Sequence, residues 1–176
     1  MVLKNEGVTW LSAQRAAPGS RRLQSAIVAY RRHFEAIRKS LPPGVLLLTE
    51  GETLHDASVI SLEVDAAASS LSLELRGWDH RFRKARFLAL SYEDVRNISI
   101  SAPADRPLPG PPGFGALGYW EFDVDSPGFF KHCMLFSTGI ELAVRFAQFA
   151  YTVSSRSTRV RIRPPRARKR SCARGA

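Results

Sequence analysis

Between Val59 and Tyr151 apolar residues return at every second position, in one short run after another. Ile60, Leu62 and Val64 alternate with Ser61 and Glu63, and Leu71, Leu73 and Leu75 alternate with Ser72, Glu74 and Arg76. A two-residue period sends successive side chains to opposite faces of an extended chain, so each run hides one face and wets the other. That restricts the region to an antiparallel sheet of strands that follow one another in sequence. Residues 82–92 give a third strand, with Leu88, Leu90 and Tyr92 on one side and Phe87 and Ala89 on the other. Val95 to Ile100 extends it after a bend at Glu93-Asp94. Trp120, Phe122 and Val124 mark a fourth strand, Phe130, His132, Met134 and Phe136 a fifth, and Ile140, Leu142, Val144 and Phe146 a sixth. Phe149 and Tyr151 continue the last one after a shift in register. Turns fall at Ala66–Ser70, Ser126-Pro127-Gly128 and Thr138-Gly139. Residues 101–118 hold so many prolines and glycines that they are predicted to form a surface loop or a crossover between sheets.

Ahead of the strands the period changes to that of a helix. Leu23, Ile27, Tyr30, Phe34, Ile37 and Leu41 lie three and four apart and form one stripe. Ser20 caps this helix and Pro42-Pro43-Gly44 ends it, while Arg21, Arg22, Arg31, Arg32, Arg38 and Lys39 cover other faces. A shorter helix over 9–17 precedes it, stopped by Pro18-Gly19. The expected fold is therefore α+β: an N-terminal amphipathic helix packed on an antiparallel sheet of about six strands, curled or split into a small sandwich. It forms one domain over 1–155, with a helical arm at 9–41 and strands across 58–152.

Charge separates the tail from this body. The chain has 26 bases and a formal net charge of +10, but nine bases and no acid lie in residues 156–176. The other 155 residues hold 17 bases against 16 acids. The tail is expected to be a disordered basic extension. Nucleic-acid contact, through Arg166, Arg168, Lys169 and Arg170, is an alternative confined to it. The tail carries no aromatic residue to stack on bases. No apolar run approaches the ~20 residues of a membrane helix, and the N-terminus lacks a signal-peptide pattern, so no membrane insertion and a cytoplasmic address are expected. Cys133 in a strand and Cys172 in the tail lie in different settings and are expected to remain reduced.

Catalytic motifs are few. The sequence has no G-x-S-x-G, P-loop, Rossmann glycine pattern or C-x-x-C. His55 and Asp56 stand together at the entry to the first strand, where they suit a base with its orienter or a ligand pair. Neighbours on a strand point to opposite faces, so they share a site only if the chain bends there. The structural alternative has Asp56 bonding turn amides and His55 packing between sheet and helix. His132 sits between Phe130 and Met134 on an apolar face, the setting of a core histidine. His33 rides on the helix, and His80 lies in a turn. Strands could join His55 and His132 with an acid such as Asp56 or Glu141, and a metal-dependent hydrolase using His55, Asp56 and His132 is the alternative reading; otherwise no metal or cofactor is implied.

One order of motifs stands out: Tyr30-Arg31-Arg32-His33-Phe34, Leu41-Pro42-Pro43, Leu54-His55-Asp56-Ala57, Trp120-Glu121-Phe122-Asp123-Val124, the run from Gly128 to Ser137, and Glu141-Leu142 before Phe146 and Phe149. Across roughly residues 9–153 it resembles a group of small bacterial proteins classed as a domain of unknown function. The L-H-D-A element also occurs in immunity-like proteins that neutralise toxins by binding. The resemblance implies a non-catalytic module, of the immunity or accessory type, whose partner is another protein. It places the tail outside the domain, and the loop at 101–118 departs from it.

Overall fold

The computed structural model describes residues 21–79, 83–103 and 113–155, with side chains from Ser25 onward in the first helix. The predicted helix over 9–17, His80, most of the Pro/Gly loop and the basic tail lie outside these residues. Helix α1 spans Arg21–Ile37 and passes through a 3-10 turn, Arg38–Ser40, to Leu41. The first helix ends ahead of the prolines, as expected. They start a second helix, α2, over Pro43–Gly51, with Pro42 as its N-cap and Pro43 in its first turn. Proline suits that position because its missing N–H would have no partner in the helix and its fixed φ already matches it. Arg38 ties the two helices by ion-pairing Glu50, and it also reaches Glu35.

Eight strands follow. They are β1 (Ser58–Asp65), β2 (Ser70–Trp78), β3 (Ala85–Glu93), β4 (Asn97–Ser101), β5 (Leu117–Ser126), β6 (Phe129–Phe136), β7 (Glu141–Phe146) and β8 (Gln148–Ser154). They form two antiparallel sheets of four, ordered β1-β2-β3-β8 and β4-β7-β6-β5, where a sheet of about six strands, curled or split into a small sandwich, was expected. The difference arises at two corners. The third predicted strand bends at Asp94, which takes a left-handed φ of 52°, and leaves β3 in the first sheet and β4 in the second. The last predicted strand bends at Ala147 and divides into β7 and β8. The corners are bonded together: Arg96 N donates to Arg145 O, and Ala147 N to Glu93 O. Two long runs thus cross from one sheet to the other side by side.

A second seam joins the sheets at the far side. Ser58 bridges Ala116, Leu117 N donates to Ala57 O at 2.7 Å, and Asp56 N donates to Leu117 O at 2.8 Å. β5 therefore begins at Leu117, inside the segment expected to be loop. Between the seams lies one continuous core. Leu71, Leu73, Leu75, Leu88, Leu90 and Tyr92 enter it from the first sheet, and Phe122, Met134, Phe136, Leu142, Val144 and Phe146 from the second. Val45 and Leu48 of α2 and Leu54 close one side. Burying each large side chain contributes roughly 1.5–3 kcal/mol, which makes this core the main stabilising term.

The helices sit on sheet edges. On β5, Phe122 N donates to the Tyr30 hydroxyl of α1 at 2.9 Å, and His33 Nε2 lies 2.8 Å from Asp123 Oδ1. On β8, the Tyr151 hydroxyl donates to Leu47 O of α2. Gly44 of α2 lies so close to β8 that a β-carbon there would stand 2.4 Å from the Phe149 carbonyl oxygen. Alanine at this position gains up to about 1 kcal/mol of helix propensity, but backbone cannot give way as a side chain can. Gly44→Ala should thus lower stability by about 1–3 kcal/mol in urea denaturation. Unchanged or raised stability would show that α2 is not seated on β8.

Candidate functional site

The chain does bend at the first candidate pair. Asp56 has a left-handed φ of 62° and directs its carboxylate back, so that Oδ1 stands 3.1 Å from His55 Nδ1. Asp56 N reaches Leu117 O across the seam, and His55 N donates to Thr53 Oγ1. Both side chains are exposed, and the His55 ring meets the edge of Tyr119. The left-handed turn that closes the two sheets is thus what brings these neighbours onto one side.

His132 is placed very differently. It is fully buried on β6, stacked on Phe122 with ring centroids 3.9 Å apart, with Trp120 and Phe149 meeting it edge to face. Its Nδ1 shares a 2.8 Å hydrogen bond with the Tyr92 hydroxyl, which reaches across from the first sheet. Among the described residues its Nε2 has no hydrogen-bond partner. Burial pushes its pKa from the usual 6.5 down to about 3, because an imidazolium would lose its hydration among aromatic rings. Tyr92 is likewise raised well above the ordinary tyrosine range by burial. Glu141, on the outer face of β7, lies opposite Leu135 of β6 and Ser101 of β4. Among the described residues no group of three His, Cys, Asp or Glu side chains could hold a metal ion, so His55, Asp56 and His132 are not gathered into one ligand set. The Cys133 thiol is pushed up to about 11 by burial, which leaves it protonated and unreactive at neutral pH. The four tail residues, Arg166, Arg168, Lys169 and Arg170, lie outside the described residues.

A feature that the sequence did not single out is the outer edge of β4. Of the four edge strands, β5 is bonded by Tyr30 and β8 by α2. β1 is bulged between Val59 and Ser61 and carries Glu63 and Asp65. Those are the usual means of blunting an edge. β4, Asn-Ile-Ser-Ile-Ser, has no charged residue and pairs with β7 alone among the described strands. Ile100 is 40% exposed, and Val64 at the tip of the β1–β2 hairpin is 53% exposed. A cleft of about 250 Å³ separates that tip from the start of β4, lined by Val64, Ser70, Val95, Arg96, Asn97 and Ile98 among others. The Arg96 guanidinium stacks 3.6 Å over the Phe129 ring. No sequence motif marks such an edge, since exposure depends on which strands fail to gain a neighbour.

Comparison with models of protein families and with curated proteins finds no match. Among the described residues no helix is long and apolar enough to cross a membrane.

His132 gives the pH dependence a definite sign. The unfolded chain takes up a proton near pH 6.5, whereas the folded chain resists until about pH 3. The stabilising contribution of the neutral ring is therefore complete above pH 6.5 and is lost as the pH falls toward 3. The slope should be up to about 1.4 kcal/mol per pH unit, measured by urea denaturation between pH 6.5 and 4.5. His132→Phe should flatten that stretch. An equal slope in the variant would mean that position 132 takes up its proton without unfolding.

Proposed function

We propose that the protein is a non-catalytic protein-binding module that takes up an extended segment of another protein along the outer edge of β4. The observation that carries this reading is the contrast among the edges: helices, a bulge or acids guard three, and the fourth, among the described strands, is paired on one side only, beside exposed Ile100 and Val64. A bound strand would gain main-chain hydrogen bonds from β4 and place side chains against the cleft. The resemblance to immunity-like and accessory proteins supports the same reading, because such proteins work by contact. The aromatic packing around His132 supports it too, since that imidazole faces other side chains and not solvent.

The test is capture from native cells with the full-length chain and with a variant carrying Ser99→Lys and Ile100→Lys. Lysine on an edge opposes strand addition while leaving the core untouched. The wild-type chain should retain a partner in stoichiometric amount, and the double variant should lose at least tenfold in affinity with an unchanged melting temperature. Equal retention by both chains, or repeated isolation of the wild type alone, would contradict the proposal.

A further inference from the structure

The edge strand β4 reads alike in both directions. Asn97-Ile98-Ser99-Ile100-Ser101 is centred on Ser99, with an isoleucine on each side and a small polar side chain at each end. It pairs with β7 alone among the described strands. An open edge is a template for a further strand, and a second copy of the same edge matches it when the two are self-complementary. A two-fold axis through Ser99 sets β4 antiparallel to its copy. Asn97 then meets Ser101, Ile98 meets Ile100, and Ser99 meets its own counterpart. This is the one antiparallel register in which all 5 residues of β4 are paired. It also keeps apolar side chains with apolar ones, because partners in a ladder share a face.

Both faces of the sheet accept this register. On the core side Ile98 lies opposite Val144 of β7, and Ile100 opposite Leu142. Across the axis that row runs from Val144 and Ile98 to Ile100 and Leu142 of the second copy. Ile100, 40% exposed in the single chain, is thereby covered. On the outer side Asn97 lies opposite Arg145, and Ser101 opposite Glu141. The joined row runs from Arg145 and Asn97 to Ser101 and Glu141 of the second copy, so opposite charges flank the seam at both ends. β4 itself brings no charge to it. Arg145 also pairs with Asp125 of β5, and three strand spacings, about 14 Å, separate it from the facing glutamate. The charges therefore favour the register more than they add affinity.

We propose that two copies of the free protein pair along β4 about this axis and so cover the open edge with each other. The proposal rests on the reading of β4 as a strand-accepting edge, and it adds a form of regulation: self-pairing and capture of another protein's segment compete for the same backbone.

The test is sedimentation velocity of the full-length chain from about 0.01 to about 1 mM. A single pair of short strands is a small contact, so a rapid monomer–dimer equilibrium is expected, with dimer prevailing only at the upper end. Ser99→Lys sets two lysines face to face on the axis and should leave the chain monomeric with an unchanged melting temperature. A second measurement maps the register. Under mild oxidation Ser99→Cys should close a disulfide between copies, whereas Asn97→Cys, which faces Ser101, and the wild-type chain with Cys133 and Cys172 should not. A monomer at every concentration would overturn the proposal. So would a dimer that Ser99→Lys leaves intact, or equal cross-linking at 97 and 99. The two readings of the edge fail separately. A chain that stays monomeric yet captures a partner through β4 upholds the proposed function and overturns self-pairing, and a dimer that captures nothing does the reverse.

Discussion

The two sheets are held as one body by a single buried contact region, where Tyr92 of β3 meets His132 of β6 and Phe146 of β7, and Phe149 of β8 meets Phe122 of β5. Each sheet alone has one apolar face and could not stay folded with that face in water. Facing each other they remove it from water together, and the rings supply most of the area at the centre. The hydrogen bond between Tyr92 and His132 crosses from sheet to sheet inside this region. It fixes how the two are aligned, because hydrophobic contact alone has no direction and a buried polar pair tolerates one arrangement.

The rest of the architecture follows from keeping that alignment. The corners at Asp94 and Ala147 carry two strands from one sheet to the other, and the seam at Asp56 and Leu117 holds the opposite side. The helices then deal with edges and not with the centre. Tyr30 satisfies backbone of β5, and α2 lies over β8 through Gly44 and Tyr151. What remains outside this scheme is the β4 edge, and the proposed function rests on it. His132, which the sequence places in the setting of a core histidine, is part of the alignment device.

The strands were legible because period two survives wherever one face is buried. Leu71, Leu73 and Leu75, and Leu142, Val144 and Phe146, stand in the core as their spacing demands. Where the strands divide into two sheets was not legible. In the last run the buried positions are even up to Phe146 and odd from Phe149, and that change of parity accompanies the crossing from one sheet to the other. The sequence shows the shift, but a bulge within one sheet would look the same. Helix α2 was hidden because Val45-Leu46-Leu47-Leu48 has no period and proline more often stops a helix than opens one. The Tyr92–His132 bond joins residues 40 positions apart, and the His55–Asp56 contact depends on a left-handed turn that carries no glycine. Neither long-range pairing nor a strained φ at aspartate is written in local spacing.

The claim that one shared region holds both sheets is tested most directly by native-state hydrogen exchange in low urea. The strands to follow are β3 and β6, each paired on both sides and one in each sheet. If the sheets stand or fall together, their slowest amides should give the same opening free energy, equal to that of global unfolding, with the same dependence on urea. Two separate opening energies, with one sheet exchanging while the other stays protected, would contradict it.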